Sequence, residues 1–199
     1  MRGTIALDAD GVLLDYGTAY GRAWARHCGR EPVERDPHAY WPIERWGVPR
    51  LAGPELEGLR KQFGEEFWRS MPAMPGALQA CELLVRHGYE LVCVTALEAE
   101  FGEARRHNLA ALGFPIERVI TTGNGAPQGS PKAAALRSLQ PVAFVDDFGP
   151  YFAGVGAGTH KALVMRGPNG SPNTGEVLNL VDSEHPDLRG FAQWWVACK

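Results

Sequence analysis

A chain of 199 residues, 45% of them apolar, can bury one sizeable core and a small accessory module. A formal net charge of −3, with the basic residues dispersed, excludes the electrostatic footprint of a protein that binds a nucleic acid polymer. No apolar run is long enough to span a bilayer, so no membrane role is expected.

The four cysteines, at positions 28, 81, 93 and 198, have no paired spacing. No histidine pair has zinc-ligand spacing either. Cys81 and Cys93 read as small core residues, and a reducing, cytoplasmic setting is expected. The start Met1-Arg2-Gly3 leads straight into a strand, an arrangement expected of a chain without a signal peptide.

The first element is the apolar strand Thr4-Ile5-Ala6-Leu7, which runs into Asp8-Ala9-Asp10-Gly11. A strand ending on an aspartate puts the carboxylate at the sheet edge where open α/β folds bind ligands. Gly11 permits a sharp turn that aims Asp10 into the same space. Two acids so close repel unless a cation or a shared proton relieves them, which points to a metal-assisted site.

Residues 16–71 change character. Gly17 to Cys28 reads as a helix, prolines 42, 49 and 54 permit only short helices, and Pro54 to Arg69 reads as one better helix on Leu56, Leu59, Phe63 and Phe67. No strand is evident, and the segment reads as a compact helical cap. It holds four of the six tryptophans, Trp24, Trp41, Trp46 and Trp68. Most of these aromatics are expected to form the cap's own core. A sharper reading has Trp41 or Trp46 stacking on a flat or apolar leaving group.

The segment Met71 to Gly76 is a proline-rich return linker. Beyond it strands and helices alternate: helix 77–87 stopped by Gly88, strand 90–95, helix 98–112, strand 118–121, helix 131–139, strand 142–146 and strand 161–165. This pattern predicts a parallel sheet covered on both faces. Strand 90–95 ends on Thr95, and strand 142–146 runs into Asp146-Asp147. Ser130 and Pro131 open a helix with Lys132 in its first turn, where a cation opposes the helix dipole unless it faces an anion. Residues 166–175, rich in Gly, Pro, Asn and Ser, are expected to form an exposed loop, and the tail from Pro186 a closing helix with Trp194 and Trp195. Arg105-Arg106 is expected on a solvated helix face, and His160 in a turn before the last strand.

Taken in order, Asp-x-Asp-Gly, Thr95, Lys132 and Asp146-Asp147, each at the end of an element, resemble the four motifs of the haloacid dehalogenase superfamily of phosphohydrolases. The resemblance covers roughly residues 4–166. It implies a Rossmann-like three-layer core over residues 1–15 and 72–199, with the cap at 16–71 inserted after the first strand.

The resemblance also assigns roles. Asp8 is the nucleophile that forms an aspartyl-phosphate and Asp10 the general acid and base. Thr95, Ala96 and Lys132 bind the phosphoryl group. Mg²⁺ is held by Asp8, the Asp10 backbone carbonyl and Asp146 or Asp147, the choice between the last two staying open. Because a halide needs no protonation to leave, Asp10 favours phosphate over halide chemistry. The cap also resembles the layout of deoxyribonucleotidases in the superfamily, which suggests a nucleotide-like substrate.

The expected activity is Mg²⁺-dependent hydrolysis of a small soluble phosphate monoester. The alternatives are a phosphotransferase or mutase of the same superfamily, and a non-catalytic phospho-accepting regulatory domain. A regulatory domain needs neither a cap nor Asp10.

Overall fold

The structure, a computed structural model, describes residues 1–125 and 129–198. Its elements are, in chain order, β1 (Gly3–Leu7), α1 (Tyr16–Cys28), α2 (Pro42–Arg45), α3 (Gly53–Arg60), α4 (Glu65–Arg69), α5 (Ala77–Arg86) and β2 (Tyr89–Thr95). Then follow α6 (Gly102–Ala111), β3 (Arg118–Thr121), α7 (Ala133–Leu139), β4 (Ala143–Asp146), β5 (His160–Val164), β6 (Ser183–His185) and α8 (Leu188–Cys198). Short 3₁₀ turns cover Ala99–Phe101, Gly149–Phe152 and Gly175–Leu180.

The six strands form one sheet in the order β3-β2-β1-β4-β5-β6, every pairing parallel. The alternation of the central strands explains both of its covered faces. Ile5 and Leu7, Leu91 and Cys93, Ala143 and Val145 point to one side. There they meet α5 and α8, which bury Ala77, Ala80, Cys81 and Leu84, and Leu188, Phe191, Ala192 and Trp195, at the i, i+3, i+4, i+7 spacing of a helical stripe. Ala6, Val92, Val94, Phe144 and Leu163 point to the other side, against Leu136 of α7 and Phe152. Each large apolar side chain buried this way contributes about 1.5–3 kcal/mol. The result is a three-layer α/β fold of Rossmann type.

Between β1 and α5 lies the insertion with α1–α4. The helix expected over 54–69 is two helices, broken at 61–64. Leu59 packs in a small cluster with Tyr20 and Trp24, whereas Phe67 packs in the main core. The chain turns between them, with Gly64 extended just ahead of α4. The expected 98–112 helix likewise starts as a 3₁₀ turn before α6. The helix expected from Pro131 begins at Ala133, with Ser130 Oγ accepting from the Lys132 N–H at 3.2 Å.

Two expectations are corrected near the chain's end. Strand β6 has no counterpart in the sequence reading, because three residues carry too little periodicity to register. The segment 166–175 is not simply an exposed loop. Asn173 is buried, donating from Nδ2 to the Asp147 carbonyl at 2.7 Å and accepting from the Gly149 N–H at 2.7 Å. Asn169 bonds through its backbone with His38 and Tyr40 of the insertion. Among the described residues no helix is long and apolar enough to cross a membrane.

Candidate active site

Parallel strands deliver their C-terminal ends to one edge, and the chemistry-bearing residues gather there. Asp8 follows β1, Thr95 ends β2, Asp146 ends β4 with Asp147 next, and Arg166 stands two residues beyond β5. Asp8, Thr95, Asp146 and Asp147 are all buried. Lys132, at the start of α7, is fully buried as well. Its ammonium bonds Asp8 Oδ1 and, at 2.6 Å, Asp146 Oδ2. The lysine placed against the helix dipole therefore does face anions.

One carboxylate oxygen from each of Asp8, Asp146 and Asp147 lies within 4.8 Å of the others. Asp147 Oδ2 accepts from Arg166 Nε at 2.5 Å, and Asp146 Oδ1 accepts from the Phe148 N–H at 2.9 Å. Three carboxylates are thus opposed by two cations. Burial pushes Asp146 well above the usual carboxylate range, with Lys132 pulling it down and Asp8 and Asp147 adding to the rise. Burial also lifts Asp147, to about 6, against the pull of Arg166. Burial works against the Lys132 ammonium, yet Asp146 and Asp8 outweigh it and hold its pKa above the ordinary lysine value. Unrelieved negative charge among hard oxygen donors is the setting a divalent cation fits.

Asp10 is arranged differently. Its carboxylate takes no part in the triad, and Oδ1 accepts from Arg105 Nη2 at 2.7 Å. Burial raises its pKa, Arg105 pulls it part of the way back, and the Asp8 charge raises it again. Gly11 makes the close approach possible. It sits at φ +91°, and a Cβ there would stand 2.5 Å from Asp147 Oδ2 and collide with Arg166 Nε.

Above these groups opens a cleft of about 350 Å³. Asp8, Asp10, Ala96, Leu97, Asp146, Asp147, Phe148, Tyr151 and Arg166 line it on the core side. The insertion supplies Tyr16, Tyr40, Trp41 and Trp68. Trp41 is 42% exposed there, although large apolar side chains are mostly buried elsewhere.

Trp46 does not join Trp41. Its indole N–H donates to the Gly17 carbonyl at 2.7 Å and its ring lies on Gly21, so it packs the end of α2 onto α1 within the insertion. Arg105 was expected in solvent beside Arg106, but it is fully buried. Only Arg106 is a surface residue, paired with Glu103. The sequence reading also missed Arg166, which it left in the loop. A position just past the last predicted strand was the available signal, since every other strand end in the site was used. His160, the first residue of β5, pairs in register with Ala143 at the start of β4, the far edge of the sheet from the cleft.

No family model matches the chain. It is 34% identical over 97 residues to a Bordetella bronchiseptica protein named "Putative 5'(3')-deoxyribonucleotidase", a match covering 47% of this chain and 50% of that one. The Bordetella pertussis protein of the same name is equally similar. The match thus spans about half the length of these curated relatives. Among solved structures, a "predicted phosphoglycolate phosphatase" from Haemophilus somnus superposes with a TM-score of 0.65 at 17% identity, covering 96% of this chain and 97% of that one. A haloacid dehalogenase family hydrolase from Deinococcus radiodurans, with bound phosphate and sodium, gives 0.60 at 16% identity over 91% and 89%. The chain has the fold of the haloacid dehalogenase-type hydrolases.

Proposed function

We propose that this protein is a Mg²⁺-dependent phosphatase of small phosphate monoesters, acting through an aspartyl-phosphate on Asp8. The observation that carries this reading is the convergence of Lys132 with Asp8 and Asp146 at the base of an aromatic-walled cleft. Asp8 attacks phosphorus, splitting a difficult displacement into two easier ones. Lys132 offsets charge on both the nucleophile and the transferring group, and Thr95 and Ala96 lie at the strand end where phosphoryl oxygens would be held. Asp10 delivers a proton to the leaving oxygen and later takes one from the attacking water. Asp8, Asp146 and Asp147 would hold the cation, whose chemistry when bound is to neutralise carboxylate and phosphoryl charge.

The insertion over 16–71 acts as the cap and 1–15 with 72–199 as the core. Trp41 and Trp68 offer flat apolar surface to a leaving group, and the named activity of the Bordetella relatives supports a nucleotide-like substrate. An aromatic cleft suits a substrate better than it suits a phospho-accepting regulatory domain. Reduced Cys81 and Cys93 in the core are consistent with a cytoplasmic enzyme.

The test is turnover of an aryl phosphate with Mg²⁺ and with chelator, for the parent and Asp8→Asn. The variant should fold normally and lose turnover. Retention of activity within about tenfold of the parent would show that Asp8 is not the nucleophile.

A further inference from the structure

The residue whose surroundings are least explained by packing is Arg105. It sits on α6 with no exposed surface. Its contacts are few and specific. Nη2 donates to Asp10 Oδ1 at 2.7 Å, Nη1 approaches Met71 Sδ at 3.4 Å, and the guanidinium lies over the Trp68 ring at 5.3 Å. Nε is buried with no partner among the described residues.

Such a site is a poor stabiliser of the fold. Removing a guanidinium from water is costly, one carboxylate repays it only in part, and an unpartnered buried N–H adds to the cost. The Asp10 side chain is itself 29% exposed, which weakens the attraction further. What the arrangement does provide is orientation. With Oδ1 occupied by Arg105, Oδ2 is the oxygen left for proton transfer in the cleft that Asp10 lines.

Arg105 is also held by segments other than its own helix. Trp68 belongs to α4 of the insertion and lines the cleft. Met71 begins the return linker, and Asn108, one turn along α6 from Arg105, fixes it by donating from Nδ2 to its carbonyl at 3.0 Å. The guanidinium thus ties the acid to α6, to the linker and to the aromatic wall at once. A lysine could not reproduce this, because a point charge lacks the planar fork that stacks on an indole while bonding a carboxylate.

We propose that Arg105 is a positioning residue, holding the Asp10 carboxylate in the orientation needed to protonate the leaving oxygen; this rests on the phosphatase reading above. A misplaced acid matters only where the leaving group needs a proton. Single-turnover formation of phospho-Asp8 should therefore be measured with an alkyl phosphate and with p-nitrophenyl phosphate, for the parent, Arg105→Lys and Arg105→Met. Melting curves identify any variant that fails to fold. General acids contribute about 10²–10⁴-fold, so the alkyl rate should drop by roughly 30-fold or more in both variants, with the aryl rate within about threefold of the parent. In an Asp10→Asn background, Arg105→Lys should cost less than about twofold further.

Equal losses on both substrates, or effects that multiply with Asp10→Asn, would overturn the positioning role and leave the phosphatase reading intact. A parent that turns over neither substrate with Mg²⁺ would overturn the phosphatase reading, and this inference with it. Should Arg105→Met not fold, Arg105→Lys, which keeps a charge in the buried site, decides the matter.

Discussion

Replacing Lys132 by methionine removes one charge and little volume from the most crowded part of the site. In the parent the ammonium is fully buried between Asp8 and Asp146. At 2.6 Å from Asp146 Oδ2, and an effective dielectric of about 20, one such contact attracts by roughly 6 kcal/mol. Desolvation of the ammonium offsets much of this, and breaking buried pairs typically costs about 3–5 kcal/mol.

The larger part of that cost is what remains. Among the described residues, Asp8, Asp146 and Asp147 would then have Arg166 as the one remaining cation paired with them. We therefore expect Lys132→Met to lose about 3–5 kcal/mol in urea unfolding at neutral pH with chelator present. Millimolar Mg²⁺ should restore part of this, because a cation bound to the triad supplies the missing charge. The same change should lower kcat by about 10²–10³-fold on aryl and alkyl phosphates alike, since the charge it offsets belongs to the phosphoryl group common to both. A variant within about 1 kcal/mol of the parent in chelator, and indifferent to Mg²⁺, would refute the idea that Lys132 holds mutually repelling carboxylates.

Two further expectations concern other parts of the molecule. Trp41→Ala should raise KM several-fold for a bulky nucleotide-like monoester and leave a minimal aryl phosphate nearly unaffected; a uniform fall in kcat would instead make the aromatic wall scaffolding for the catalytic groups. His185 is buried beside Phe191 and Trp194, with its Nε2 2.8 Å from Ser183 Oγ, and burial followed by the nearby His160 holds its pKa below the usual 6.5. Below pH 6.5 the unfolded chain takes up a proton there that the folded chain resists, so stability is lost as pH falls from 6.5 through the lowered value. His185→Gln should flatten that limb of the urea-midpoint profile, and an unchanged slope would remove His185 as its source.

Much of the site was legible because it depends on where strands stop. The run Thr4-Ile5-Ala6-Leu7 before Asp8, and Val142 to Val145 before Asp146, announce buried parallel strands by their unbroken apolar character. A parallel sheet then carries all its C-terminal ends to one edge whatever the details of packing. Lys132 was legible for a related reason, as a cation placed against a helix dipole. Helix α5 was legible from its stop at Gly88 and α8 as a closing helix after Pro186, whereas the structure shows which of their residues face the sheet.

What failed to register is whatever depends on two distant segments meeting. Arg105 and Arg106 are adjacent and chemically alike, and only the packing of α6 against α4 sends one into the core to meet Asp10 and the other to Glu103. Trp41 and Trp46 share one proline-broken stretch, yet the hydrogen bond from Trp46 to Gly17 turns that ring into the insertion while Trp41 stays in the cleft. Arg166 and Asn173 looked like loop residues until β5 and the insertion brought them to Asp147. Local sequence determines which backbone a segment prefers and which face is apolar, because those preferences act within a few residues. Which polar side chain finds a partner is decided by the desolvation of groups far apart in the chain, and only the tertiary structure brings them within reach of one another.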